Sequence, residues 1–192
     1  MKPTHGWALA ALAGALFSTS VAAQQKVVPA QSEIVFVSRQ MGVPVEGRFR
    51  TFDAKVAFDP AKPATSQIAF TVDVASATLG VRESDAELPK PAWFNTARFP
   101  QATFQSSAVK ALGAGKFEVA GKLTIKGASS DVVVPVTLAQ PAGPSGVTTA
   151  TGSFPIKRLT FKIGENEWAD TSMVADEVQV RFKIALTGVG KL

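Results

Sequence analysis

The chain's last regular segment constrains the fold more than any other feature. From Glu177 to Leu186 (EVQVRFKIAL), Val178, Val180, Phe182, Ile184 and Leu186 fall on one side, with Gln179, Arg181 and Lys183 on the other. A period of two marks a strand with one buried and one wet face. The same alternation recurs in Gln67–Val74, where Ile68, Phe70, Val72 and Val74 share a face, and in Ala54–Phe58. It appears again in Phe117, Val119, Gly121, Leu123 and Ile125, and in Val132, Val134, Val136 and Leu138. Ser32–Ser38 (SEIVFVS) reads as a further strand. Asp59-Pro60, Gly113–Gly115, Gly127–Asp131 and Pro141–Gly146 are turn-forming links of hairpin length. Strands so spaced predict an all-β, antiparallel meander in one domain.

One stretch interrupts the pattern. Between Gly80 and Pro100 the sequence is GVRESDAELPKPAWFNTARFP. Ser84 followed by Glu87 has capping-box spacing, Pro89 ends any helix begun there, and Pro91 suits the first position of a second short helix carrying Trp93 and Phe94. A short helical insert near residues 83–96 is therefore expected to cover one end of the sheet.

The first residues have the layout of an export signal. Lys2 and the amino terminus are followed by the apolar run Trp7–Phe17 and by small residues at Val21-Ala22-Ala23. The run is too short to span a bilayer, which needs about 20 apolar residues. Cleavage after Ala23 is expected, leaving residues 24–192 as the mature domain in the periplasm. The single histidine, His5, leaves with the signal, and the chain has no cysteine and no tyrosine. Ser-His-Asp catalysis, zinc, haem, copper and iron–sulfur chemistry then lose their usual side chains. Neither a cofactor nor a metal site is expected, and an enzyme is disfavoured. Carboxylates, lysines and oxygen-bound hard cations remain.

A sheet of this size avoids exposed edges by closing, and a barrel of about eight strands has room for side chains or one small ligand. Phe36, Phe49, Phe52, Phe58, Phe70, Phe104, Phe117, Phe154, Phe161 and Phe182 are assigned to the inner face. Singly each is an ordinary core residue; together they suit a hydrophobic cavity.

Particular runs also resemble a known family. Ser32-x-Ile34-x-Phe36, Gly47-Arg-Phe49-x-x-Phe52, Phe58-Asp59-Pro60, Trp93-Phe94, FPQATFQS (99–106) and GKLTIKG (121–127) resemble YceI-like proteins, as do Arg158, Gly164, Trp168 and Asp170 ahead of the last strand. The resemblance covers residues 26–188. It implies an extended, eight-stranded, lipocalin-like antiparallel barrel whose tunnel holds a polyprenyl chain, a prenylated quinone or a fatty-acid derivative. The chain departs from the family pattern at Leu88-Pro-Lys-Pro-Ala92, so head-group contacts are not carried over.

Alternation and resemblance together nominate Phe36, Met41, Phe49, Phe52, Phe70, Val72, Trp93, Phe94, Phe104, Leu123, Phe154 and Phe182 as the tunnel wall. Arg82 and Arg158 are the candidates for a polar head group, since a diphosphate wants an arginine fork. Each has an alternative: Arg82 in a surface ion pair with Asp85, Arg158 paired with Asp170. Glu165, Glu167 and Asp170 read as a solvated loop without calcium-loop spacing. Lys126 beside Ser129 and Ser130 reads as an exposed hairpin tip. The net charge of +5 is scattered along the chain, which argues against nucleic acid and is compatible with transient contact with an anionic membrane surface. The expected function is a carrier for an apolar lipid, monomeric or homodimeric. A barrel filled by its own side chains and a lipid-modifying enzyme using carboxylates are the alternatives.

Overall fold

The computed structural model describes residues 24–141 and 146–192. The expected signal segment and the tip of the Pro141–Gly146 link lie outside the described residues. Eleven strand segments form one antiparallel sheet: β1 (Lys26–Val27), β2 (Glu33–Gln40), β3 (Val43–Phe49), β4 (Phe52–Ala57), β5 (Gln67–Asp73), β6 (Ala77–Thr78), β7 (Gln101–Gly113), β8 (Lys116–Ile125), β9 (Ala128–Ala139), β10 (Val147–Lys157) and β11 (Glu177–Thr187). Their order is β4-β5-β7-β8-β9-β10-β11-β2-β3-β6, with β1 on β11.

Closure comes from strands that change partners. β3 and β4 are nearly continuous in the chain yet lie toward opposite ends of the ladder. β5 runs through a 3-10 turn, Val74–Ser76, into β6, which pairs Arg48 with Thr78 and Phe49 with Ala77 on β3. Arg50 N–H donates to the Ser76 carbonyl and Asp73 N–H to that of Thr51. Along the rest of the seam, Gln25 bridges to Val56 of β4 while β1 pairs with β11. Counting β3–β4 and β5–β6 each as one bent strand gives the eight-stranded barrel expected, with the two-residue β1 beside it. Strands of eleven residues such as β10 and β11 run roughly 35 Å, so the barrel is long.

The insert differs from expectation. Only α1 (Arg82–Asp85) is helical, and residues 86–99 are mostly successive turns. Pro89 and Pro91 each lack an amide hydrogen and push the preceding residue out of helical geometry. The expected capping box is absent: Val81 occupies the N-cap without a side-chain bond. Asp85 reaches back instead, accepting from Leu79 N–H at 2.5 Å and from the Thr78 hydroxyl at 2.6 Å. These bonds hold its carboxyl below the usual range, the Thr78 bond contributing most.

The interior has two apolar clusters. One, around Val56, Phe58, Phe117 and Ile184, fills the end nearest the chain termini. The other, around Val74, Leu88, Phe94 and Phe161, lies beneath the insert.

Candidate functional site

The alternating positions read from the sequence turn inward and enclose two cavities. The narrower, about 170 Å³, is lined by apolar residues alone, among them Phe58, Phe70, Phe104, Phe117 and Phe182. The wider, about 250 Å³, lies under the insert and includes Phe36, Phe49, Trp93 and Phe94. Ile34, Val72, Leu123, Phe154 and Val180 line both and form the waist between them. End to end they reach the ~300–1,000 Å³ usual for small-molecule sites. The wider cavity also has polar lining residues: Ser38 and Gln40 near the end of β2, Ser84 and Glu87 on the insert, and Arg158. The Glu87 side chain is 41% exposed, so the wider cavity meets solvent there.

Two phenyl rings stay out of the lumen because they lie over glycines of the neighbouring strand. Phe36 pairs with Gly47, where an added Cβ would sit 2.2 Å from the ring. Phe182 pairs with Gly152, where it would sit 2.4 Å from the ring and 2.4 Å from the Pro135 carbonyl oxygen. These rings serve as wall rather than plug.

Three polar clamps hold the cover. The Lys126 ammonium, its side chain 3% exposed, donates to the Pro91 carbonyl (2.7 Å), the Lys162 carbonyl (2.6 Å) and Glu165 Oε2 (2.8 Å). It ties the β8–β9 hairpin to the insert and to the loop after β10. Gly164 and Glu165 N–H both donate to Ala92 O, and Trp93 packs on Trp168 with centroids 5.4 Å apart. Arg158, 2% exposed, opens a 3-10 turn (Arg158–Phe161). Its guanidinium donates to the carbonyls of Ala175, Ile163, Gly164, Trp168 and Val174 at 2.6–3.1 Å. Burial pushes its pKa down and the Asp176 carboxylate pushes it back up; an arginine remains charged there.

Several sequence assignments change. Met41 is 72% exposed on the β2–β3 turn and lines neither cavity, because the strand ends at Gln40 and the turn faces solvent. Phe52 is half-buried against the first cluster and likewise lines neither. Arg82 is exposed outside the lining. Arg158 borders the wider cavity, but its five N–H groups are all donated to backbone carbonyls and it does not pair with Asp170. That aspartate instead accepts from Ser172 N–H and hydroxyl. Lys126 is buried rather than exposed, and Ser129 bonds to Thr124. Trp168 and Ile163, from irregular chain after β10, line the wider cavity; no periodicity marks them, and Trp168 entered the sequence reading only through the family resemblance.

The YceI-like domain model matches residues 25–186. A UPF0312 protein of Azotobacter vinelandii is 35% identical over 88 residues, 46% of each chain; the alignment spans about half of that relative's length. The crystal structure of Burkholderia cenocepacia BcnA is 47% identical and superposes with a TM-score of 0.79 over 83% of this chain and 99% of that one. A structure described as a polyisoprenoid binding domain from Saccharophagus degradans, implicated in plant cell wall breakdown, shares the fold at 15% identity and a TM-score of 0.66, covering 85% of this chain and 97% of that one.

Proposed function

The chain belongs to the YceI-like domain family, and from that premise we propose that it is an exported binding protein carrying a long apolar lipid of polyisoprenoid, prenylated-quinone or fatty-acid type. One observation carries the reading: the narrower cavity is lined wholly by apolar side chains and joins the wider one through a shared waist. Each buried methylene-sized group contributes about 0.8 kcal/mol. A twenty-carbon chain would thus gain on the order of 16 kcal/mol, from which association and chain ordering subtract roughly 4–15. Little polar help is needed. The polyisoprenoid binding described for the Saccharophagus relative supports the same cargo class. The layout of the first 23 residues supports export to the periplasm. The function is carriage without turnover.

The test is native mass spectrometry of the protein purified from a periplasmic extract, followed by solvent extraction. A stoichiometric polyprenyl, quinone or acyl mass is expected. A protein that emerges empty and stays empty when offered prenyl lipids overturns the reading.

A further inference from the structure

Among the described residues, one buried side-chain polar atom has no hydrogen-bond partner: Nε1 of Trp93. Its indole ring lines the wider cavity and is wedged in place. Trp168 packs on it, and a Cβ at Gly164 would lie 3.4 Å from its Cζ3. Leaving a buried donor unpaired costs about 1–3 kcal/mol, and such orphans are rare in folded proteins. The rest of the polar lining is also available. Ser38, Gln40 and Ser84 line the same cavity, and within the described residues their side chains make no hydrogen bond.

The charged groups at this end are already committed. All five N–H groups of Arg158 go to backbone carbonyls, Glu87 pairs with Lys90, and Arg82 stands outside the lining. A diphosphate or carboxylate head would enter beside the Glu87 carboxylate and find no free cation on the wall. A neutral oxygen would find an N–H donor with nothing else to bind. We propose that the ligand carries an uncharged, hydrogen-bond-accepting head of the carbonyl or quinone class, held by Trp93 Nε1–H in the wider cavity, while its apolar chain passes the waist into the narrower one. This rests on the lipid-carrying reading and narrows it: prenyl diphosphates and free fatty acids are disfavoured, and prenylated quinones or neutral acyl derivatives favoured.

The experiment compares three probes on the delipidated mature protein, by displacement of a fluorescent apolar reporter. They are a benzoquinone bearing a geranylgeranyl chain, the matching headless hydrocarbon, and geranylgeranyl diphosphate. The quinone is expected to bind about three- to tenfold more tightly than the hydrocarbon, and the diphosphate no more tightly than the hydrocarbon. Trp93→Phe is expected to bring the quinone-to-hydrocarbon ratio to about one, whatever it does to each affinity. A second measurement covers failure of that variant to fold. In the ¹⁵N-labelled wild type, the Trp93 indole N–H resonance, assigned by comparison with Trp168→Phe, should move downfield with the quinone and not with the hydrocarbon. Equal binding of quinone and hydrocarbon overturns the proposal. So does tightest binding of the diphosphate, or an indole resonance the quinone leaves in place, as expected if only water meets that N–H. Failure of all three probes to bind overturns the carrier reading itself, which is a separate outcome.

Discussion

Replacing Arg158 with methionine keeps much of the side chain's length and apolar stem while deleting five donors. Three of the five bonds, to Ile163, Gly164 and Val174, are buried. Those to Ala175 and Trp168 are only partly buried, and their carbonyls can turn to water. Each buried carbonyl left without a donor costs about 1–3 kcal/mol. Removing the guanidinium also relieves its desolvation penalty, which is several kcal/mol for a buried ion. Taking the three buried acceptors at the lower half of their range, Arg158→Met is expected to destabilise by roughly 3–5 kcal/mol, against a total of about 5–15 for a domain. Arg158→Lys, with at most three N–H groups on a narrower head, should fall between the two. Guanidinium chloride unfolding followed by tryptophan fluorescence measures this directly, because Trp168 supplies one of the accepting carbonyls and Trp93 packs on it. A midpoint shift at unchanged m-value reports stability. A loss under about 1 kcal/mol would refute the reasoning. It would mean that the loop between Arg158 and Asp176 is held by packing, leaving the arginine free for a ligand.

Lys126→Met should lower Tm by about 4–8 °C, from the loss of roughly 2 kcal/mol of charge-assisted bonding. Faster amide exchange at Gly164 and Glu165 should accompany it, and unchanged exchange would show that Lys126 is not what pins the cover. Gly47→Ala meets only the side chains of Phe36 and Leu79; it should cost about 1–2 kcal/mol and weaken lipid binding by tipping the Phe36 ring into the wider cavity. Gly152→Ala also meets the Pro135 carbonyl, which cannot swing away, so it should cost about 3 kcal/mol or more; equal melting losses for the two glycines would contradict this. Asp85 has a folded-state pKa below its unfolded one. Its contribution is therefore present above about pH 4 and lost as pH falls below that value. The acid loosening of the insert, followed by Trp93 fluorescence, should be absent in Asp85→Asn, and an identical acid response in both proteins would disprove it.

Much of the barrel was legible because a two-residue period is a local property. Val178 through Leu186 declare their inner face by themselves, and the structure turns Val178, Val180, Phe182, Ile184 and Leu186 inward. β10 was not legible in this way. Its inward positions include Thr148, Ala150 and Gly152, small residues whose pattern fades beside the equally small Thr149, Thr151 and Ser153. They are small because Phe182 from β11 fills the space over Gly152, a fact about the neighbouring strand. The insert was placed correctly but given too much helix, since two prolines turned the second helix into successive turns. Met41 was assigned inward by extending the β2 pattern past Gln40, where the chain reverses.

The sequence by itself determined the fold class, the inward faces of the most strongly alternating strands and the family, because side-chain alternation and short motifs are written residue by residue. Tertiary structure alone decided that β3–β4 and β5–β6 bend to close the barrel, that Lys126 and Arg158 are spent on carbonyls, and that the Trp93 N–H is left without an acceptor. Each of those depends on which backbone groups come within hydrogen-bonding reach across separations such as the 35 and 39 residues from Lys126 to Pro91 and Glu165. That reach is fixed only once the sheet has closed.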